Sequence, residues 1–181
     1  MTLTGDASEI AAADGVVLPG VGNFGACMRE LRNAGLEEVA RASALDARPF
    51  FGICVGLQML FAGSEESPGV DGLGVIDGQV LRLPNTMKLP QIGWNTVSVR
   101  EGSRLFADTG AGEPWVYFVH TYAAQANDPS VVGGWCEYGR RFVAAVELDN
   151  LWATQFHPEK SATVGLQLLR NFVRSCSVVT A

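Results

Sequence analysis

Short runs of β-branched and aromatic residues alternate along this chain with stretches in which apolar positions recur every three or four residues, so both strands and helices are predicted. Gly15-Val-Val-Leu18 is a β-branched run closed by Pro19-Gly-Val-Gly22, and Met28, Leu31 and Ala34 then follow at helical intervals. This predicts a strand, a glycine loop and a helix. A second helix is predicted over about 36–45. Pro49 leads into Phe50-Phe-Gly-Ile53, the continuous apolar run of a strand buried on both faces. Helical spacing resumes from Leu57 to Phe61, which puts Cys54 at a tight strand-to-helix junction. The Gly-rich, acidic segment 63–78 reads as loop. Further strands are predicted over about 79–83, 95–99, 115–119, 133–138, 142–148 and 152–156. A final amphipathic helix over about 162–174 gathers Val164, Leu168, Leu169 and Phe172 on one face. The expected fold is α/β, with a mixed central sheet flanked by helices. No repeat, low-complexity tract or linker interrupts it, so residues 1–181 are read as a single domain.

Composition narrows the class. A chain of 181 residues can bury one good core but is short for two enzyme domains. Hydrophobic residues make up 48% and charged residues 18%, which favours a globular protein whose apolar excess can also meet a partner. The formal charge of -6 leaves no basic footprint for nucleic acid or an anionic membrane. The most apolar stretch, 50–63, is interrupted by Gln58 and falls short of the ~20 residues that span a bilayer. Acids near the N-terminus, where a signal would carry basic residues, argue against secretion, so a cytoplasmic location is expected. Cys27, Cys54, Cys136 and Cys176 lack Cys-x-x-Cys spacing, which argues against a disulfide framework and a zinc site and leaves one of them open to catalysis. No cofactor or metal is expected.

Gly52-Ile-Cys-Val-Gly56 has the small-x-nucleophile-x-small pattern of a nucleophile elbow, in which glycines permit a strained turn that projects the side chain above the sheet. The following helix would favour a thiolate, and the amide of Val55 could serve an oxyanion. A lone cysteine is more often an inert core residue, but the flanking glycines shift that balance. The chain has two histidines. His157 follows a predicted strand, and Glu159 lies two residues on, where extended backbone directs both side chains the same way. A base and its orienting carboxylate result. Taken alone, the pair is more often a solvated loop histidine beside a surface glutamate; together with the elbow, the balance reverses. His120, in Tyr117-Phe-Val-His-Thr-Tyr122, is a competing base, but it has no carboxylate two residues away and reads as a structural strand-end histidine. The glycines of Pro19-Gly-Val-Gly22 could turn a second amide toward an oxyanion.

Taken together and in this order, the segments resemble the class I glutamine amidotransferases over nearly the whole chain. Leu18-Pro-Gly-Val-Gly-Asn-Phe24 looks like the family's oxyanion strand, Gly52-Ile-Cys-Val-Gly-Leu-Gln58 like its elbow, and Gln155-Phe-His-Pro-Glu-Lys-Ser161 like its His-x-Glu segment. Lys88-Leu-Pro-Gln-Ile-Gly-Trp-Asn95 and Tyr117-Phe-Val-His-Thr-Tyr122 resemble those of the glutaminase subunits of imidazole glycerol phosphate synthases. The resemblance implies a Cys54, His157, Glu159 triad that hydrolyses glutamine through a γ-glutamyl thioester. It also implies oxyanion contacts from Val21, Gly22 and Val55, and glutamine held by Gln58, Glu66, Thr121 and Tyr122. Ammonia would pass to a separate (β/α)8-barrel cyclase subunit, with Lys160 at the interface, in histidine biosynthesis. The free glutaminase would be nearly idle until the cyclase binds its nucleotide substrate, with residues 19–22 as the switch.

The family pattern begins with a further strand, a Gly-Ser-Gly-Asn-like turn and a helix, roughly 30 residues that do not precede Thr2 here. The expectation is that Met1 is an internal start or a truncation point of a longer protein. Two alternatives remain at this level: a glutaminase serving another acceptor, as in anthranilate synthase, and a non-catalytic binding module of the same fold. The segment 88–95 speaks against the first.

Overall fold

The computed structural model describes residues 1–178. Among these, six strands form a mixed sheet in the order β1-β2-β10-β9-β8-β5. β1 (Val16–Gly20), β2 (Phe50–Cys54) and β10 (Leu151–Thr154) are parallel, whereas β9 (Arg141–Leu148), β8 (Val132–Glu137) and β5 (Ser98–Val99) continue antiparallel. β2 is central to the parallel part, which is why its sequence is apolar throughout. Successive residues of a strand face opposite sides. Phe50 therefore joins a core with Phe24 and Met28 of α2 (Phe24–Asn33) and Ala40 and Ala44 of α3 (Glu37–Leu45). Phe51 instead packs with Leu168 and Phe172 of α5 (Ala162–Val178) on the other face. Helices thus cover both faces, as the two-rhythm pattern predicts. No helix among the described residues is long and apolar enough to cross a membrane.

Two antiparallel pairs stand outside this sheet. β3 (Gly78–Arg82) pairs with β7 (Tyr122–Ala126), and β4 (Gln91–Thr96) pairs with β6 (Trp115–His120). The single strand predicted over 95–99 is in fact two. Fully buried Val97 turns into the core between them, and the chain passes from β4, paired with β6, to β5 on the edge of the main sheet. β7 was not expected, because Tyr122-Ala-Ala-Gln-Ala126 has low intrinsic strand preference. Its pairing with β3, Val80 opposite Ala124, overrides that preference.

The helix after Cys54 is also shorter than its spacing predicts. α4 (Val55–Gln58) is one turn. The carbonyls of Met59, Leu60 and Phe61 accept N–H groups from Leu73, Val75 and Gly74, so the loop 63–78 takes the bonds a longer helix would have used. Before β1, α1 (Ala7–Ala12) is capped by Asp6, whose carboxylate accepts from the N–H groups of Ser8 and Glu9. The Arg48 guanidinium donates to the carbonyls of Ala11 and Ala13 and ties its other end to the body.

Candidate active site

Cys54 ends β2 with φ 55° and ψ -108°, a conformation costly for a residue with a Cβ. Packing enforces it. A Cβ on Gly56 would lie 1.9 Å from the carbonyl oxygen of Leu18, so the elbow presses against β1 backbone to backbone. The thiol is buried, and burial pushes its pKa up to about 11, opposed by the N–H of Val55. One turn of helix carries little of a macrodipole. Thiolate formation here therefore depends on immediate neighbours more than on the helix the sequence suggests.

His157 leaves the end of β10 in a frame of hydrogen bonds. Its N–H donates to the Tyr117 carbonyl at 3.0 Å, and its carbonyl accepts from the Ser161 hydroxyl at 2.7 Å. That hydroxyl oxygen in turn accepts the N–H of Tyr117 at 3.0 Å, which locks the loop to β6. His157 Nδ1 lies 2.8 Å from Glu159 Oε1. A carboxylate accepts only, so Nδ1 carries the proton and Nε2 is left for exchange with a thiol. The Glu159 side chain is 49% exposed, and solvent moderates its pull on the ring.

His120 is differently placed. Nδ1 lies 2.9 Å from the Tyr122 carbonyl and Nε2 3.0 Å from the Gln91 carboxamide. With both nitrogens engaged and burial lowering the pKa to about 4, it is a neutral structural group near neutrality. The unfolded chain takes up a proton near pH 6.5, whereas the folded one resists until about 4. The associated stability is complete above pH 6.5 and is lost as pH falls from there toward 4, by on the order of 2–3 kcal/mol. Thermal midpoints measured across that window should fall in the wild type and fall less in His120→Gln. Equal slopes would remove His120 as the cause.

His120 nevertheless lines the same cavity, of about 420 Å³, that gathers the other candidates. Cys54, His157, Gln58, Thr121 and Tyr122 line it, with Val21, Gly22 and Val55 on the side of the glycine loop and Glu66 and Lys160 completing the wall. Glu159 stands behind His157. Gly22 has φ +95° and Val21 is 75% exposed, so this stretch of backbone is open to solvent. One oxygen of Glu66 accepts the N–H of Phe24 at 2.7 Å, joining the cavity wall to the first turn of α2. Among the described residues, no group of three His, Cys, Asp or Glu side chains is placed to hold a metal ion. Sequence reasoning singled out neither Pro90 and Val119, which also line the cavity, nor the side chain of Gln155, whose Nε2 is 3.8 Å from the Cys54 sulfur. The signal available for Gln155 is an amide that, with Thr154, interrupts the apolar run leading into His157.

Residues 2–176 match the family described as Glutamine amidotransferase class-I. The chain is 48% identical over 171 residues to the imidazole glycerol phosphate synthase subunit HisH of Methanothermobacter thermautotrophicus, covering 94% of this chain and 84% of that protein. It is 46% identical over 177 residues to the protein of the same name from Syntrophotalea carbinolica, covering 94% and 85%. Among solved structures, a glutamine amidotransferase crystal structure superposes with a TM-score of 0.71 at 19% identity, covering 96% of this chain and 85% of that one. The glutaminase domain of Trypanosoma brucei CTPS, solved with bound acivicin, superposes at 0.59 with 17% identity, covering 93% and 74%. These two likenesses bear on the fold.

Proposed function

Because the chain belongs to the class-I glutamine amidotransferase family, we propose that it is the glutaminase subunit of an imidazole glycerol phosphate synthase, with Cys54, His157 and Glu159 as its catalytic triad. It works as one amidotransferase domain in the cytoplasm, in histidine biosynthesis. The observation that carries the reading is the meeting of a strained cysteine and a carboxylate-held histidine, about a hundred residues apart in sequence, on one cavity.

His157 Nε2 takes the thiol proton as Cys54 Sγ attacks the carboxamide carbon of glutamine. The tetrahedral oxyanion meets backbone N–H groups of Val55 and of the Val21-Gly22 stretch. Collapse expels ammonia, which receives its proton from His157, and leaves a γ-glutamyl thioester on Cys54. Water, deprotonated by the same imidazole, hydrolyses the thioester to glutamate and restores the thiol. Glu159 holds the Nδ1 proton and stabilises the transient imidazolium. Gln58, Glu66, Thr121 and Tyr122 hold the substrate, the Glu66 carboxylate being suited to its ammonium group.

A separate (β/α)8-barrel cyclase subunit receives the ammonia. Support for a partner comes from the outer face of the β4–β6 pair, where Ile92, Trp94 and Trp115 are exposed in a run beside Tyr117. Trp94 and Tyr117 make an edge-to-face contact at 6.1 Å. Exposed aromatic clusters of this kind mark interaction surfaces. The stripe reaches the cavity through Pro90 and Val119, with Lys160 at the rim. Glutamate release should be low for the isolated chain and rise at least ~10²-fold with the cyclase and its nucleotide ligand, as residues 19–22 turn an N–H toward the oxyanion. Full activity in isolation would instead indicate a stand-alone glutaminase, and no release in any condition would refute the catalytic reading.

A further inference from the structure

Gln155 is fully buried at the end of β10, between the strand and His157, and its side chain belongs to a chain of carboxamides. Gln58 Nε2 donates to the Tyr122 carbonyl at 2.9 Å and to Gln155 Oε1 at 3.0 Å. Gln155 Nε2 then faces Cys54 Sγ at 3.8 Å, long for an oxygen acceptor but within reach of the larger sulfur.

The direction of this relay does not depend on how amide nitrogen and oxygen are told apart. A backbone carbonyl only accepts, so Gln58 must present its NH2 group to Tyr122. The same NH2 group meets Gln155, which must therefore offer its oxygen there. Its own NH2 is left turned toward the sulfur.

We propose that Gln155 is a further catalytic residue, a neutral N–H donor that stabilises the Cys54 thiolate before attack and again when the thioester is broken. The inference rests on Cys54 being the nucleophile. A thiol is a weak acceptor and a thiolate a strong one, so a fixed donor favours the charged form. It does so without adding a charge that would compete with the substrate. The thiol otherwise sits among groups of mixed effect. Glu159 and, from α2, Cys27 oppose the thiolate, and Lys160 favours it. His157, Glu66 and, from β6, the neutral His120 share the cavity wall. The N–H of Val55 acts in the same sense as Gln155.

The test is the pH profile of Cys54 alkylation by iodoacetamide, followed by peptide mass in the whole protein, for the wild type, Gln155→Met and Gln155→Glu. With Met, which fills the space but cannot donate, the profile should move up by about one pH unit, a ten-fold slower reaction below the midpoint, with the high-pH plateau kept. The carboxylate variant should move it further and carries the same test if the Met variant does not fold. A merely structural role would lower the thermal midpoint and leave the profile in place, which would overturn the proposal. In the unaltered protein the side-chain amide resonance of Gln155 should titrate together with Cys54, and a stationary resonance would also overturn it. Glutamate release separates this failure from that of the functional reading. If release requires Cys54 but the Gln155 variants keep the wild-type profile, only the role of Gln155 is lost. If Cys54→Ala still releases glutamate, the nucleophile itself is misassigned.

Discussion

Cys54→Ala should reduce glutamate release by on the order of 10⁴-fold or more, measured with the cyclase and its ligand present. No other side chain in the cavity is placed to replace the sulfur. The three remaining cysteines lie elsewhere, on α2, β8 and α5, and burial raises the pKa of each. A triad without its nucleophile keeps only the catalysis that oxyanion contacts and substrate binding provide. Alanine also relieves no clash, because the strain at φ 55° belongs to the backbone and its β-carbon, both of which the variant retains. The fold and the exposed β4–β6 face should therefore persist, and partner binding should be unchanged. Retention of more than about one per cent of activity would contradict the proposed chemistry. Wild-type protein that binds the partner but never releases glutamate would favour the binding-module alternative.

Gly56→Ala is expected to cost about 4 kcal/mol and to inactivate the protein as well. The added carbon would lie 1.9 Å from the oxygen and 3.0 Å from the carbon of the Leu18 carbonyl. Neither belongs to a side chain that can swing away. Relief requires β1 to move from β2, yet these strands are in register along Val16 to Gly20, the segment that leads into the oxyanion loop. Gly20 faces the same junction, since its own hypothetical Cβ would be 2.9 Å from the Gly56 nitrogen. Loss of stability and displacement of the loop therefore come together. For a chain of this length the thermal midpoint should fall by roughly 10 °C. A midpoint within about 2 °C of the wild type would show that the elbow tolerates a wider strand spacing.

Strands β1, β2, β8, β9 and β10 of the main sheet and the apolar face of α5 could be read from the sequence because each signal there is local. Phe50-Phe-Gly-Ile53 is apolar enough to be central, and Val164, Leu168, Leu169 and Phe172 are spaced for one helical face. The elements that escaped depend on distant partners. Tyr122 to Ala126 becomes a strand because β3 pairs with it, and Met59 to Phe61 leaves the helix because residues 73–75 claim its carbonyls. Nor does any local pattern show that Val97 enters the core and divides two strands. Among the candidate site residues, the cysteine and the His-x-Glu pair carried their own spacing, and the cavity gathers them with Gln58, Glu66, Thr121 and Tyr122. Gln155 acquires its meaning only from a carbonyl on β7 and an amide on α4, which no spacing within one segment can reveal.

β10 is the last strand among the described residues, yet it lies between β2 and β9 in the sheet. During synthesis the strand bearing the thiol is thus made about a hundred residues before its inner neighbour, and it stays an open edge until Leu151–Thr154 arrives. The segment that follows it also carries the amide that faces the sulfur and the histidine that shares its cavity. Completion of the sheet and assembly of the site are therefore a single late event with a large loop-closure cost. An incomplete chain accordingly exposes a cysteine that its base has not yet reached.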